Sequence, residues 1–118
     1  TDPWISSGSG VSGAPFSFIV TKNYAAVEVL INIGSKEENK KLYDKLFHNK
    51  EDIEHSYGEP LTWERLDDKK SARITHRMFG VDITNREDWS KIKDFLCDAM
   101  VKFEKALKEP LKKAASSK

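Results

Sequence analysis

Between Val27 and Ile33 every second residue is a β-branched aliphatic: Val27, Val29, Ile31 and Ile33 alternate with Glu28, Leu30 and Asn32. Successive side chains of a strand point to opposite faces, so this run demands a sheet with one apolar face and one more polar face. Phe16 to Thr21 alternates in the same way, with Phe16, Phe18 and Val20 on one side, and the polar Lys22-Asn23 separates the two runs. The pair reads as a β-hairpin. A sheet that is apolar on one side has to be covered, and the rest of the chain carries the periodicity for that cover.

Ser35-Lys36-Glu37-Glu38 matches a capping box, in which a serine hydroxyl and the glutamate three residues on satisfy free backbone N–H groups at a helix start. The stripe Leu42, Tyr43, Leu46, Phe47, Ile53 and Tyr57 continues it as one helix, which Gly58 and Pro60 stop. Two further strands follow, Leu61 to Leu66 and Ala72 to Val81, joined by the polar turn Asp67-Asp68-Lys69-Lys70. Thr84-Asn85-Arg86-Glu87 reads as a second capping box. The stripe Trp89, Ile92, Leu96, Met100, Phe103 and Leu107 then gives a long helix ending before Pro110. The expected fold is α+β: a four-stranded antiparallel sheet in ββαββα order with two helices packed on one face. Residues 16–110 form the single domain expected of a 118-residue chain, between a loop-rich segment 1–15 and a frayed basic tail 111–118. Trp4 and Ile5 are two apolar side chains within that first segment and are expected to dock on the core.

Composition removes several function classes. A hydrophobic fraction of 38% beside 33% charged residues fits a soluble globular protein. No apolar run approaches the roughly 20 residues of a membrane-spanning helix. Thr1 to Pro15 has no basic start followed by an apolar stretch, so no secretory signal is read and the cytoplasm is the expected location. Cys97 is the only cysteine, which removes an internal disulfide and the Cys-rich zinc sites; its place within an apolar helical pattern predicts a buried, inert thiol. A net charge of +1 argues against a strong sequence-blind nucleic-acid binder. The charge is uneven, however: residues 101–118 hold six lysines against two glutamates, an excess of four.

Strand parity then predicts a surface. With Val27, Val29, Ile31 and Ile33 turned to the helices, Glu28 and Asn32 lie on the opposite face; with Ile74 and Met78 inward, Arg73 and Arg77 lie there too, and Trp63 inward sends Glu64 outward. The candidate site is therefore an open sheet face carrying Glu28, Asn32, Glu64, Arg73 and Arg77. Two readings apply to it. One is a set of cross-strand ion pairs worth about 0.2 to 1 kcal/mol each. The other is a recognition surface for a polar partner, for which arginine's bidentate geometry is suited. Arg65 shares the parity of Trp63 and so needs an internal partner, with Glu28, Glu54 and Glu59 as open alternatives.

Taken in order, Ala26-Val27-Glu28-Val29-Leu30-Ile31, Glu38-Asn39-Lys40, Lys50-Glu51-Asp52-Ile53-Glu54, Tyr57 through Lys69 and Ser71-Ala72-Arg73-Ile74 resemble the prokaryotic family of unknown function DUF4268. Gly58-Glu59-Pro60-Leu61-Thr62-Trp63-Glu64-Arg65-Leu66 is the most specific part, and the match covers most of the chain. Members often follow a restriction-nuclease-like domain, so the resemblance implies a module of a DNA-handling or defence-related protein. It brings no catalytic residues. It marks Glu28, Trp63, Glu64, Arg65 and Arg73 as positions of the family pattern with a structural or functional purpose. The family's domain usually has more helical sequence ahead of the Trp-containing start, so this chain reads as an excised domain or a short relative.

A restriction-type nuclease needs an acid on one strand and an acid-x-Lys on the next, so that two carboxylates hold magnesium while lysine orients water. Glu28 with Asp67-Asp68-Lys69 or Asp68-Lys69-Lys70 meets the spacing, but those residues fall in a turn. Glu28 with Glu64 is the other centre for such an enzyme. His48 and His55 lie about 10 Å apart along a helix axis, too far for a shared metal, and His76 is on a strand. The resulting expectation is a non-catalytic accessory domain with no cofactor. Its expected partners are other domains of a larger protein, weakly bound nucleic acid, or a second copy in a homodimer, and none is a membrane.

Overall fold

In the computed structural model, which describes residues 11 and 13–116, β1 (Phe16–Val20) and β2 (Tyr24–Ile31) form the first hairpin. Thr21 shapes its turn: the hydroxyl accepts the N–H of Asn23 and of Tyr24, each at 3.0 Å. Helices α1 (Lys36–His48) and α2 (Lys50–Tyr57) follow, then β3 (Thr62–Glu64), β4 (Ala72–Phe79) and α3 (Trp89–Ser116), with a 3-10 turn at Arg86–Asp88. The sheet order is β1-β2-β4-β3, antiparallel throughout, so the two long strands lie in the middle and β1 and β3 form the edges.

The register lines up one apolar row. Phe16, Val29, Ile74 and Trp63 stand opposite one another across the four strands, and Phe18, Val27 and His76 form the next row. α1 and α3 pack against this face and α2 packs on α3. Phe103 of α3 sits at the centre, edge-on to Phe16 at 5.4 Å and to Tyr57 at 6.0 Å, geometries that aromatic quadrupoles favour.

The α+β class and the four-stranded antiparallel sheet agree with the alternation. The helical layer differs from the expectation of two helices in ββαββα order, because the first long helix is two. The N–H of Asn49 closes on the carbonyls of both Leu46 and Phe47, and the chain restarts at Lys50. Ile53 and Tyr57 are thereby buried beside α3. Ser35 and Glu38 form the expected capping box, and Gly58, at φ 96°, ends α2 in the left-handed conformation that glycine adopts without penalty.

Pro110 does not end α3. The ring removes one N–H and crowds the preceding turn, yet Leu111 beyond it is fully buried and Lys45 donates to the Ala114 carbonyl at 3.4 Å. Burial and that tether outweigh the proline, so residues 111–116 are helix and not a frayed tail. The second start is also different: Asn85, not Thr84, caps the 3-10 turn by accepting the N–H of Glu87 at 3.1 Å, while the Thr84 hydroxyl donates to Asp82. Cys97 is exposed, since Leu96 takes the inward position and the next residue turns about 100° away. Asn32 lies past the end of β2. There its N–H meets the carbonyl of Gly13, whose φ of 84° and approach to Asn32 leave no room for a Cβ. Trp4 and Ile5 lie outside the described residues.

Candidate functional site

On the sheet face away from the helices, Glu28 (β2), Glu64 (β3), Arg73 and Arg77 (both β4) come together as the strand parity requires. Asn32 does not join them; its side-chain oxygen accepts instead from Asn39 Nδ2 at 3.3 Å. Arg73 lies between the two acids, with Nε 2.6 Å from Glu64 Oε1 and Nη1 3.6 Å from Glu28 Oε1. The Arg73 Nε–H is buried and not aimed at an acceptor, so the close contact to Glu64 is an ion pair without hydrogen-bond geometry. Arg77 reaches Glu64 from the other side, at 3.4 and 3.5 Å, with its guanidinium 5.5 Å from the Tyr24 ring centroid. Burial alone would lower the Arg77 guanidinium, and Glu64 together with Tyr24 more than reverses it. Beneath these side chains Thr75 is 0% exposed and donates to the Val27 carbonyl at 3.0 Å. Two carboxylates and two guanidiniums thus neutralise one another. At the end of the same face Phe79 is 68% exposed and packs on Tyr24 at 5.6 Å.

Trp63 turns inward, edge-on to Tyr43 at 6.1 Å and to Phe47 at 5.6 Å, and its indole N–H donates to Glu54 Oε2 at 3.0 Å. Arg65 takes none of the three acids expected for it. It lies past the end of β3 with an exposed side chain that grips Asp44 of α1 at 2.9 and 3.0 Å and also meets Asp67. Strand parity fails there because the strand has already ended. The buried cation of this region is Lys40, 6% exposed, whose ammonium donates to the carbonyls of Arg65, Leu66 (2.7 Å) and Ser71. Burial pushes it below the ordinary lysine range, with Asp67 acting in the opposite sense. Asn39 and Lys40 were missed as structural centres by periodicity; the Glu38-Asn39-Lys40 segment of the family resemblance was the one signal that touched them.

A second polar cluster joins α2, β4 and α3. Tyr57 Oη is 2.5 Å from His76 Nδ1, and Glu59 lies 3.9 Å from His76 Nε2 and 2.9 Å from Lys102 Nζ. Burial pushes Tyr57 up, so its hydroxyl keeps the proton, and it shares a hydrogen bond with His76 Nδ1. Burial pushes His76 down; Glu59 opposes this and Lys102 adds to it. A base held neutral in the folded state stabilises the fold fully above its unfolded value of about 6.5, and that contribution is lost as pH falls through this value toward the lower folded one. Stability to urea is therefore expected to decline from about pH 7.5 to 5.5, the His76 window, and His76→Gln is expected to flatten this slope. An equal slope in both proteins would show that His76 is not its source.

The family described as a domain of unknown function, DUF4268, matches residues 1–111. The chain belongs to that family. No curated protein and no solved structure matches it. Among the described residues of this DUF4268 domain, no group of three or more His, Cys, Asp or Glu side chains is placed to hold a metal ion, and no helix is long and apolar enough to cross a membrane. His48 and His55 are exposed on α1 and α2, apart from the His76 cluster. Asp67 turns to Arg65, and Asp68 and Lys69 are exposed on the loop, whereas Glu28 sits on the sheet against Arg73.

Proposed function

We propose that the chain is a non-catalytic accessory domain, for assembly or substrate positioning, within a larger prokaryotic DNA-associated or defence-related protein. The observation that carries this reading is the neutral lattice of Glu28, Glu64, Arg73 and Arg77 across three strands of the sheet. In a nuclease the two glutamates would have to take up magnesium. Here each is engaged by a guanidinium, and a metal would have to displace that cation before binding. A fixed face with paired charges at its centre and Phe79 with Tyr24 at its end has the make-up of a docking surface, where arginine and aromatic side chains are enriched.

Titration calorimetry with magnesium and manganese, paired with a plasmid-cleavage assay, tests the reading. The expected result is no binding heat and no cleavage. Metal-dependent cleavage abolished by Glu28→Gln or Glu64→Gln would overturn it in favour of a small nuclease.

A further inference from the structure

Positive charge that is not absorbed by the sheet lattice collects on the other side of the molecule, along α1. An open trough of about 820 Å³ runs beside this helix, lined by Lys36, Lys40, Lys41, Lys45 and Arg65 against only Glu37 and Asp44. Lys40 is buried with its ammonium on three backbone carbonyls, and Arg65 is paired with Asp44 and Asp67, so the outward charge of the trough is that of Lys36, Lys41 and Lys45 against Glu37, an excess of two. Lys45 ties the last turns of α3 to this helix through Ala114, which brings an ordered helix end carrying exposed Lys112 and Lys113 up to α1. The continuation of α3 past Pro110 is what fixes those lysines in place.

Macrodipole complementarity explains part of this pattern but not all. Lysines in a last turn are favoured, as Lys45 and Lys113 are in theirs, whereas Lys36 occupies the first position of α1, where positive charge is disfavoured. From Lys36 to Lys45 is nine residues, about 14 Å along the axis at 1.5 Å per residue and about half a turn around it, so the two side chains border the trough from opposite sides. A shallow, open trough bordered by lysines on both sides suits a continuous polyanion better than an enclosed small ligand.

We propose that the α1 trough, centred on Lys36 and Lys41 and flanked by the end of α3, binds the phosphate backbone of double-stranded nucleic acid without reading sequence. The surface rests on the positioning reading of the domain and names its substrate; Arg73 and Arg77, on the opposite face, take no part because Glu28 and Glu64 neutralise them.

Fluorescence anisotropy of a labelled 20-base-pair duplex with the whole chain, from about 50 to 200 mM salt, tests this. The expected result is micromolar binding at low salt, equal for unrelated sequences, and weakening steeply with salt. Lys36→Gln with Lys41→Gln is expected to weaken binding about tenfold and to reduce the log–log salt slope by about 1.8, at about 0.9 per lost phosphate contact. Arg73→Gln with Arg77→Gln is expected to leave that slope unchanged. Both lysines are exposed, so the double variant should melt like the parent, and Lys41→Gln alone gives a second reading of the slope. No anisotropy change at 50 mM salt, an unchanged lysine variant, a larger loss in the arginine variant, or tighter binding of an acidic peptide than of the duplex would each overturn the proposal. Cleavage of the duplex in magnesium would instead undo the non-catalytic reading, while loss of binding alone undoes only this surface.

Discussion

Asn39→Ala is expected to cost about 3 kcal/mol of folding stability, several times the cost of an ordinary polar surface substitution. The side chain is 0% exposed and works in both directions. Its oxygen accepts the N–H groups of Ile33 (2.7 Å) and Gly34 (3.2 Å), and its amide nitrogen donates to the carbonyls of Gly34 (3.2 Å) and Lys70 (3.0 Å). One residue thus joins the link after β2 to the loop before β4. Alanine strips partners from several backbone groups at once, and each buried orphan costs about 1 to 3 kcal/mol; some regain water at the surface, which keeps the total near the cost of one or two such orphans. Urea denaturation checks it. A loss below about 1 kcal/mol would show that solvent replaces the amide at this corner.

Trp63→Ala comes next, at about 2 to 4 kcal/mol, slightly under the range for a fully buried tryptophan because the ring is only part-buried. The indole covers Tyr43 and Phe47 edge-on, and Phe47 is itself 46% exposed, so removal opens this aromatic corner to water. The indole N–H also shares Glu54 Oε2 with the N–H of Leu61, which fastens the entry into β3 to α2. Trp63→Phe retains most of the ring contact and loses only that hydrogen bond, so it should cost about 1 kcal/mol. Equal losses for the two variants, read as urea midpoints, would assign the whole effect to Glu54.

What could be read from residue order follows the range of the forces involved. The alternation from Val27 to Ile31 and the inward set Phe16, Ile74 and Trp63 are visible locally, because a strand's two-residue period reports burial directly. The same parity brought Glu28, Glu64, Arg73 and Arg77 to one face. It could not show that they would cancel one another, which depends on register between strands far apart in the chain. The break at Asn49 was hidden because Leu46 to Ile53 is seven residues, so the apolar stripe runs through it in phase. Pro110 gave a strong local stop signal that a long-range contact, the burial of Leu111, overrode. Asn39 and Lys40 left no periodic trace at all: their partners are backbone carbonyls and amides, which every residue possesses.

The Lys40 ammonium has one more consequence. Loops usually owe their shape to their own turn-forming residues, but between β3 and β4 the path is set from below, by a cation that gathers the carbonyls of Arg65, Leu66 and Ser71, and it holds even Leu66 at φ 55°. Backbone groups answer that cation whatever side chains they carry. Asp68, Lys69 and Lys70 point to solvent and are released from any duty to specify the turn. The side chains of Asp68, Lys69 and Lys70 are accordingly open to replacement with the two strands left in register, since it is the backbone of this loop that the Lys40 ammonium and the Asn39 amide hold.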